Sequence, residues 1–296
     1  MKNIAVLLTC YNRKNKTLAC LDSLSGVCET HSAQINMWVF LTDDSSTDGT
    51  KEAIEAREYP FKVKILSGTG HLFWNGGMIK SWDAALQIGG FDGFLLLNDD
   101  TIVLDSFWTE LLNADDVSLS LCGKRGIYVG STYDANTNKF TYGGFNFTNK
   151  LTLRDEYVLP DGKTYQLCQC AHGNITYVSK DVVDRLGIFY DKYIHGGTDH
   201  DYSYLAYKAG FPILVLPNYA GICENDHKED GYAEFFEMPL LERIKYLKSP
   251  FGFNLHNTLL FQKRCFPYRY PFVWVTGYLK ALFPKTYFRL YKRLRK

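Results

Sequence analysis

A chain of 296 residues, 46% hydrophobic and 22% charged, fits a soluble globular protein with a substantial core, built as one large domain or two small ones. No run reaches the ~18 apolar residues a membrane-spanning helix needs. The eight dispersed cysteines include no CxxC pair, which makes a weak metal signal and fits a reducing, cytoplasmic compartment.

The net charge of +1 hides an asymmetry. From Arg243 to Lys296 there are thirteen Lys or Arg and no acid, and the remainder balances at −12. That pattern points to a basic tail with an anionic partner.

Met1 to Cys10 superficially resembles a lipoprotein signal, but its apolar run, Ile4 to Leu8, is too short for a secretory segment and reads as a first strand. A loop, Thr9-Cys10-Tyr11-Asn12-Arg13, follows, and then an amphipathic helix from Thr17 to Leu24. Met37 to Leu41 is a second strand. It runs into Thr42-Asp43-Asp44-Ser45-Ser46-Thr47-Asp48-Gly49-Thr50, which holds a turn and a helix cap. Asp43 and Asp44 offer acceptors for a base N–H or a ribose hydroxyl, while Asp44 or Ser46 can equally cap the helix Lys51 to Arg57. Val63 to Leu66 is a third strand. The Gly-rich stretch after it, with Gly68-Thr69-Gly70, could bring backbone N–H groups to phosphates, although no GK[ST] follows. A helix from Met78 to Ile88 leads to the fourth strand, Phe94 to Leu97. Strand and helix alternating at this spacing predict a mostly parallel sheet with helices on both faces.

The fourth strand delivers Asn98-Asp99-Asp100 to the carboxyl end of that sheet, where α/β folds bind ligands. Adjacent carboxylates there repel unless a positive charge sits between them, and a divalent cation bound to phosphates is one such charge. A strand followed by an Asx turn is the plainer reading.

The three loops together, Thr9 to Arg13, Asp43 to Thr50 and Asn98 to Asp100, resemble the nucleotide-binding region of family 2 glycosyltransferases. The resemblance implies an inverting enzyme of the GT-A fold. It places Thr9, Tyr11 and Asp44 around the base and ribose, with Arg13, Asp43, Gly70, Asn98 and Asp99 completing the nucleotide site. Its metal motif falls on Asn98-Asp99-Asp100, with Asp100 as ligand to Mn²⁺ or Mg²⁺ and Asn98 where the first Asp usually stands.

Short strands are expected at Ile127–Ser131, Phe140–Phe147 and Thr152–Val158, as a mixed-sheet edge or acceptor-side insertion. Asn174 to Ser179 reads as a strand, Asp181 to Leu186 as a short helix, His200 to Ala209 as a helix and Ile213 to Leu216 as the last strand. Thr198-Asp199-His200-Asp201 resembles the family's Glu-Asp-x-Asp stretch, with Thr198 replacing Glu. That makes Asp199 the expected catalytic base, with helix capping as the alternative. Attack at an anomeric carbon needs a carboxylate within ~3 Å of the acceptor hydroxyl. The resemblance also makes His227 a metal ligand. His71, Trp74, Asn75 and Gly76 are expected around the donor sugar, though Trp74 could equally be core.

The expected organisation is a GT-A domain over residues 1–225, with a nucleotide-binding half (1–105) and an acceptor and base half (106–225). A helical, basic, aromatic extension covers 226–296. The expected activity is sugar transfer from a nucleotide-diphosphate donor to a glycan or lipid-linked glycan, in surface polysaccharide synthesis. From Pro284, Phe288, Tyr291 and Leu294 recur at helical spacing among cations, the composition of an interfacial helix. An anionic membrane surface, the inner face of a plasma membrane, is then the expected partner; the alternative packs those aromatics back on the domain. Nucleic acid is not expected, since the acidic remainder would repel it. A non-catalytic sugar-nucleotide-binding module is the opposed reading. A nucleotidyltransferase would want glycines directly after the first strand, where Tyr11-Asn12-Arg13 has none.

Overall fold

In the computed structural model, which describes residues 1–224 and 231–294, the apolar run from Ile4 to Leu8 lies inside β1 (Lys2–Cys10). Both faces of β1 are covered. Ile4, Val6 and Leu8 point into one core, with Leu18, Leu21 and Leu24 from α1 (Lys14–Thr30) and Phe107, Trp108 and Leu111 from α4 (Asp105–Cys122). Ala5 and Leu7 point into the other, with Met78 and Trp82 from α3 (Phe73–Ile88). A strand buried on both sides has no use for polar alternation. Each fully buried Leu or Ile contributes roughly 1.5–3 kcal/mol.

The remaining strands and helices of the first half are β2 (Ile35–Asp43), α2 (Thr50–Glu55), β3 (Lys62–Ser67) and β4 (Gly93–Leu97). After them come β5 (Ile102–Val103), β6 (Ile127–Tyr133), β7 (Gly144–Asn149), β8 (Arg154–Tyr157), β9 (Gln166–Leu167), β10 (Cys170–Ala171) and β11 (Ile175–Ser179). Then α5 (Lys180–Leu186) and α6 (Thr198–Lys208) precede β12 (Ile213–Ile222). Among the described residues the main sheet runs β3-β2-β1-β4-β11-β6-β12-β5, with β9 on β12; β10-β7-β8 form a small second sheet. The pairs β3–β2, β2–β1, β1–β4 and β6–β12 are parallel. β11 is antiparallel to both β4 and β6, so the parallel order is interrupted inside the sheet as well as at its edge.

Two helices depart from expectation. The first runs on to Thr30, because Val27 and Cys28 continue its buried stripe. α4 was not anticipated, although Phe107, Leu111, Ala114 and Ser118 recur along one buried face.

Past β12 the described chain is helical: α7 (Gly231–Glu237), α8 (Leu240–Lys248), α9 (Leu255–Cys265), α10 (Tyr270–Leu282) and α11 (Pro284–Leu294). Gly277 of α10 lies so close to α9 that a Cβ would stand 2.7 Å from Leu255 Cδ1. Phe288 of α11 is only 6% exposed, its ring against Phe236 and Phe253. The aromatic face expected to meet a membrane therefore packs inward at Phe288. Most of the outward apolar residues are on α10, with Phe272 at 62% exposure, and Leu290 of α11 is exposed as well. No helix among the described residues is long and apolar enough to cross a membrane.

Candidate active site

Three loops leave the carboxyl ends of β1, β2 and β4 side by side, because Cys10 pairs with Asp43 and Leu7 with Leu96. The first two are tied together. Ser46 Oγ accepts from Asn12 N–H at 2.9 Å, and Asn12 Oδ1 accepts from Thr47 N–H at 2.7 Å. Asn12 takes a left-handed φ of +50° to do so, a conformation Asn tolerates better than most residues. Thr9 is buried at the end of β1 beneath Gly77, where a Cβ would lie 2.0 Å from Thr9 Oγ1. Tyr11 projects outward and is exposed.

Asp43 is buried and accepts from Ser46 N–H at 2.9 Å. Asp44 does not cap α2. Its Oδ1 accepts from Thr69 and Gly70 N–H at 3.0 and 2.8 Å, and its Oδ2 from Leu72 and Phe73 N–H at 2.8 and 3.1 Å. All four lone-pair positions of the carboxylate are thereby used. Asp44 thus folds the Gly-rich loop and the start of α3, and a base N–H or ribose hydroxyl would have to displace one of those bonds. The loop packs so tightly that a Cβ on Gly68 would stand 2.4 Å from Asp44 Oδ1. Gly70, at φ +82°, supplies the turn.

The paired carboxylates after β4 are met by a cation of the chain's own. Arg13 places one guanidinium nitrogen 3.0 Å from Asp99 Oδ1 and 2.9 Å from Asp100 Oδ2. Thr17 Oγ1 donates to Asp99 Oδ2 at 3.1 Å. Burial still pushes the Asp99 carboxyl up from 3.8 to about 6; Arg13 and Thr17 oppose the rise and Asp100 adds to it. Asp100 turns its other oxygen toward Cys223 Sγ, 3.7 Å away.

Asn98 Oδ1 accepts from Trp74 Nε1–H at 2.8 Å, joining the acidic loop to α3. Trp74 also packs on Phe189, at 5.5 Å between ring centroids. A Cβ on Gly173 would meet Trp74 Cη2 at 2.9 Å and Asp199 Cβ at 3.3 Å, so the indole and Asp199 both abut Gly173. Gly173 N–H donates to Asp199 Oδ2 at 2.9 Å, and His200 N–H to Asp199 Oδ1 at 3.0 Å. Asn98 N–H in turn donates to Asn174 O at 3.0 Å. One continuous path therefore links Asp99 and Asp100 to Asp199, although a hundred positions separate them in the chain. Asp199 stands in the first turn of α6. Beside it, His172 and His200 meet edge to face at 4.7 Å, and burial, with the neighbouring His200 imidazole, holds His172 below its ordinary value.

The expected sugar pocket is gathered only in part. His71 is exposed on the loop, and Gly76 is half-buried against Leu72. Asn75 is 1% exposed, and its amide donates to Tyr190 O at 3.1 Å and Tyr193 O at 2.8 Å, bracing the segment before α6. The strictly local pattern around Asn75 gave no sign of a partner 115 positions away. His227 lies outside the described residues. Among those described, no group of three or more His, Cys, Asp or Glu could hold a metal ion. Thr17 and Gly173 were missed altogether; a Thr four positions after Arg13, on the same helical face, was the available signal.

Known proteins share the sequence pattern and the fold. The sequence matches the family description "Glycosyl transferase family 2" over residues 5–187, a span that stops before Asp199. No curated protein matches the chain by sequence. Among solved structures, the fold is similar to mannosyltransferase PcManGT from Pyrobaculum calidifontis, in complex with GDP-Man and Mn²⁺, at TM-score 0.51 and 18% identity, covering 94% of this chain and 73% of that one. It is also similar to residues 1–349 of S. aureus TarS, at TM-score 0.52 and 14% identity, covering 95% and 81%. The same enzyme with UDP-GlcNAc gives TM-score 0.52 and 14% identity over 89% and 71%. With a parallel-rich α/β sheet, an acidic loop at its carboxyl edge and the family pattern across most of its length, the chain is a glycosyltransferase and belongs to family 2.

Proposed function

We propose that this enzyme transfers a sugar, with inversion, from a nucleotide diphosphate donor to a hydroxyl of a glycan or lipid-linked glycan in surface polysaccharide assembly. The observation carrying the proposal is the path from Arg13, Asp99 and Asp100 through Asn98, Trp74 and Gly173 to Asp199. It joins a charged cradle and a carboxylate through one tryptophan. Thr9, Tyr11, Arg13, Asp43, Gly70, Asn98 and Asp99 would surround the nucleotide, with Asp44 acting through the loop it folds. His71, Trp74 and Gly76 would border the sugar. Asp199 takes the proton from the acceptor hydroxyl as that oxygen attacks the anomeric carbon.

The donor chemistry fits a divalent cation: Asp100 offers a hard oxygen at the strand end, and diphosphate oxygens would complete such a set. When bound, the ion neutralises charge on the departing diphosphate. Arg13, already between the two acids, supplies positive charge at the same point. The test is a screen of nucleotide sugars by hydrolysis and thermal shift, with and without Mn²⁺ or Mg²⁺. Donor-dependent shifts without turnover on any acceptor would favour a non-catalytic binding module.

The C-terminal extension supports a peripheral position on the cytoplasmic face of a membrane. Phe272, Val275, Leu279 and Leu282 are exposed along the side of α10 opposite buried Gly277 and Ala281, and Phe283 is exposed just past its end. On α11, Lys285, Arg289 and Arg293 follow at four-residue intervals on its exposed side. An apolar stripe beside a cationic ridge suits an anionic bilayer, where each cation adds about 1 kcal/mol.

A further inference from the structure

The segment from Tyr190 to Gly197 carries Asp199 into the site, and much of its support comes from elsewhere in the chain. It ends in two consecutive glycines, Gly196 and Gly197, with left-handed φ of +71° and +78°, where any other residue would be strained. Gly197 is the residue before the first turn of α6, so its conformation aims that turn.

α9, some sixty positions further on, holds this segment by its side chains. Asn257 is buried, and its amide donates to His195 O at 2.7 Å and Gly196 O at 3.0 Å; its oxygen accepts from Ile194 N–H at 3.3 Å. Asn254, which caps α9 by accepting from Asn257 N–H, donates to His195 O at 2.9 Å. His256 Nε2 lies 3.1 Å from Lys192 O. On the far side of Asp199, Arg264 Nε lies 2.9 Å from both oxygens of buried Asp201, and the guanidinium stacks 4.1 Å from the centre of the Tyr190 ring.

We infer that Asn257 and Arg264 are positioning residues for Asp199, and that the helical extension is part of the catalytic unit rather than an appendage. The inference rests on the assignment of Asp199 as the base. Asp199 sits between two fixed points, the carbonyls at 195–196 and the carboxylate of Asp201, and both are fixed by α9. An error of about 1 Å in a reacting group costs on the order of a hundredfold in rate. The region matching the family pattern ends at residue 187, so neither the base nor its clamp lies within it.

Arg264→Ala would leave Asp201 buried without its cation and threatens folding itself. The decisive variant is therefore Asn257→Ala in the full chain, with Arg264→Lys alongside to keep the charge. UDP-GlcNAc and GDP-mannose serve as donors, and a panel of para-nitrophenyl glycosides as acceptors. Two readouts are taken: transfer to the glycoside relative to hydrolysis of the donor, and hydrogen exchange across residues 190–201. Water is small and reaches a displaced carboxylate from several directions, so hydrolysis tolerates misplacement better than transfer does. Asn257→Ala is expected to lower the transfer-to-hydrolysis ratio 10- to 100-fold, with faster exchange in 190–201, unchanged exchange in β1 and β4, and unchanged donor affinity. Arg264→Lys should retain more of that ratio than Asn257→Ala. Equal loss of transfer and hydrolysis, as a smaller folded fraction would give, overturns the inference, and so does unchanged exchange in 190–201. A fall in transfer of less than about tenfold in Asp199→Asn would instead overturn the base assignment on which the inference stands.

Discussion

Asp99→Asn should make the ligand-free protein more stable at neutral pH. Asp99 is 4% exposed, and burial outweighs the help of Arg13 and Thr17, so its folded pKa rises from 3.8 to about 6. A carboxyl raised in the folded state contributes most to stability when both states are protonated, below 3.8. That contribution falls as pH rises and is gone once pH passes the folded value near 6. A shift of roughly two units corresponds to about 3 kcal/mol at pH 7. Asparagine imitates the neutral acid: it keeps an oxygen for Thr17 and leaves Arg13 to Asp100. Urea unfolding at pH 4.5 and pH 7, without donor or divalent ion, measures the effect. The variant should be about 2–3 kcal/mol more stable than wild type at pH 7, with the gap shrinking by about two-thirds at pH 4.5. An Asp99→Asn protein equal to or weaker than wild type at pH 7 would refute the claim that this site stores an electrostatic cost for function.

Asp199→Asn should lower transfer by about 10²–10⁴-fold while donor affinity, read by thermal shift, stays at wild-type level. A loss under about tenfold would move the base to another residue. Asp100→Ala should abolish the Mn²⁺-dependent part of donor binding in a folded protein; equal affinity with Mn²⁺ in mutant and wild type would exclude Asp100 as ligand. Phe272→Ser with Leu279→Ser should cut sedimentation with anionic vesicles several-fold without changing donor hydrolysis. Persistent binding, or a dimer in wild type that the double variant dissociates, would assign the α10 face elsewhere.

The first hundred residues were legible because each buried strand announces itself as an unbroken apolar run and each loop carries its own polar signature. Ile4–Leu8, Met37–Leu41 and Phe94–Leu97 all fall inside observed strands. Family membership was readable for the same reason, since the three loops sit at adjacent strand ends. What stayed hidden depends on pairings distant in sequence. Nothing local to Asn75 says that it braces Tyr190 and Tyr193, and nothing near Asp44 says that its carboxylate will be consumed by four N–H groups from residues 69–73. The direction of β11 was equally silent, because a five-residue strand buried on both faces looks the same read either way. Spacing on α11 identified an amphipathic helix but not which side faced out, and at Phe288 the aromatic side turned inward.

The reversal of β11 has a consequence for how such an enzyme can diversify. The acidic loop leaves the end of β4, and Gly173, whose N–H holds Asp199, the proposed base, precedes the start of β11, with Ile175 opposite Leu97. On the proposed assignment, the distance between the departing phosphate and the attacking hydroxyl is set by one antiparallel ladder inside the sheet, acting as a ruler. A slip of one residue would turn every buried side chain of β11 to the wrong face, so the core itself guards the calibration. The segments free of that ladder, the β7–β8 hairpin above all, can be lengthened or exchanged to suit a new acceptor while the reaction keeps its span.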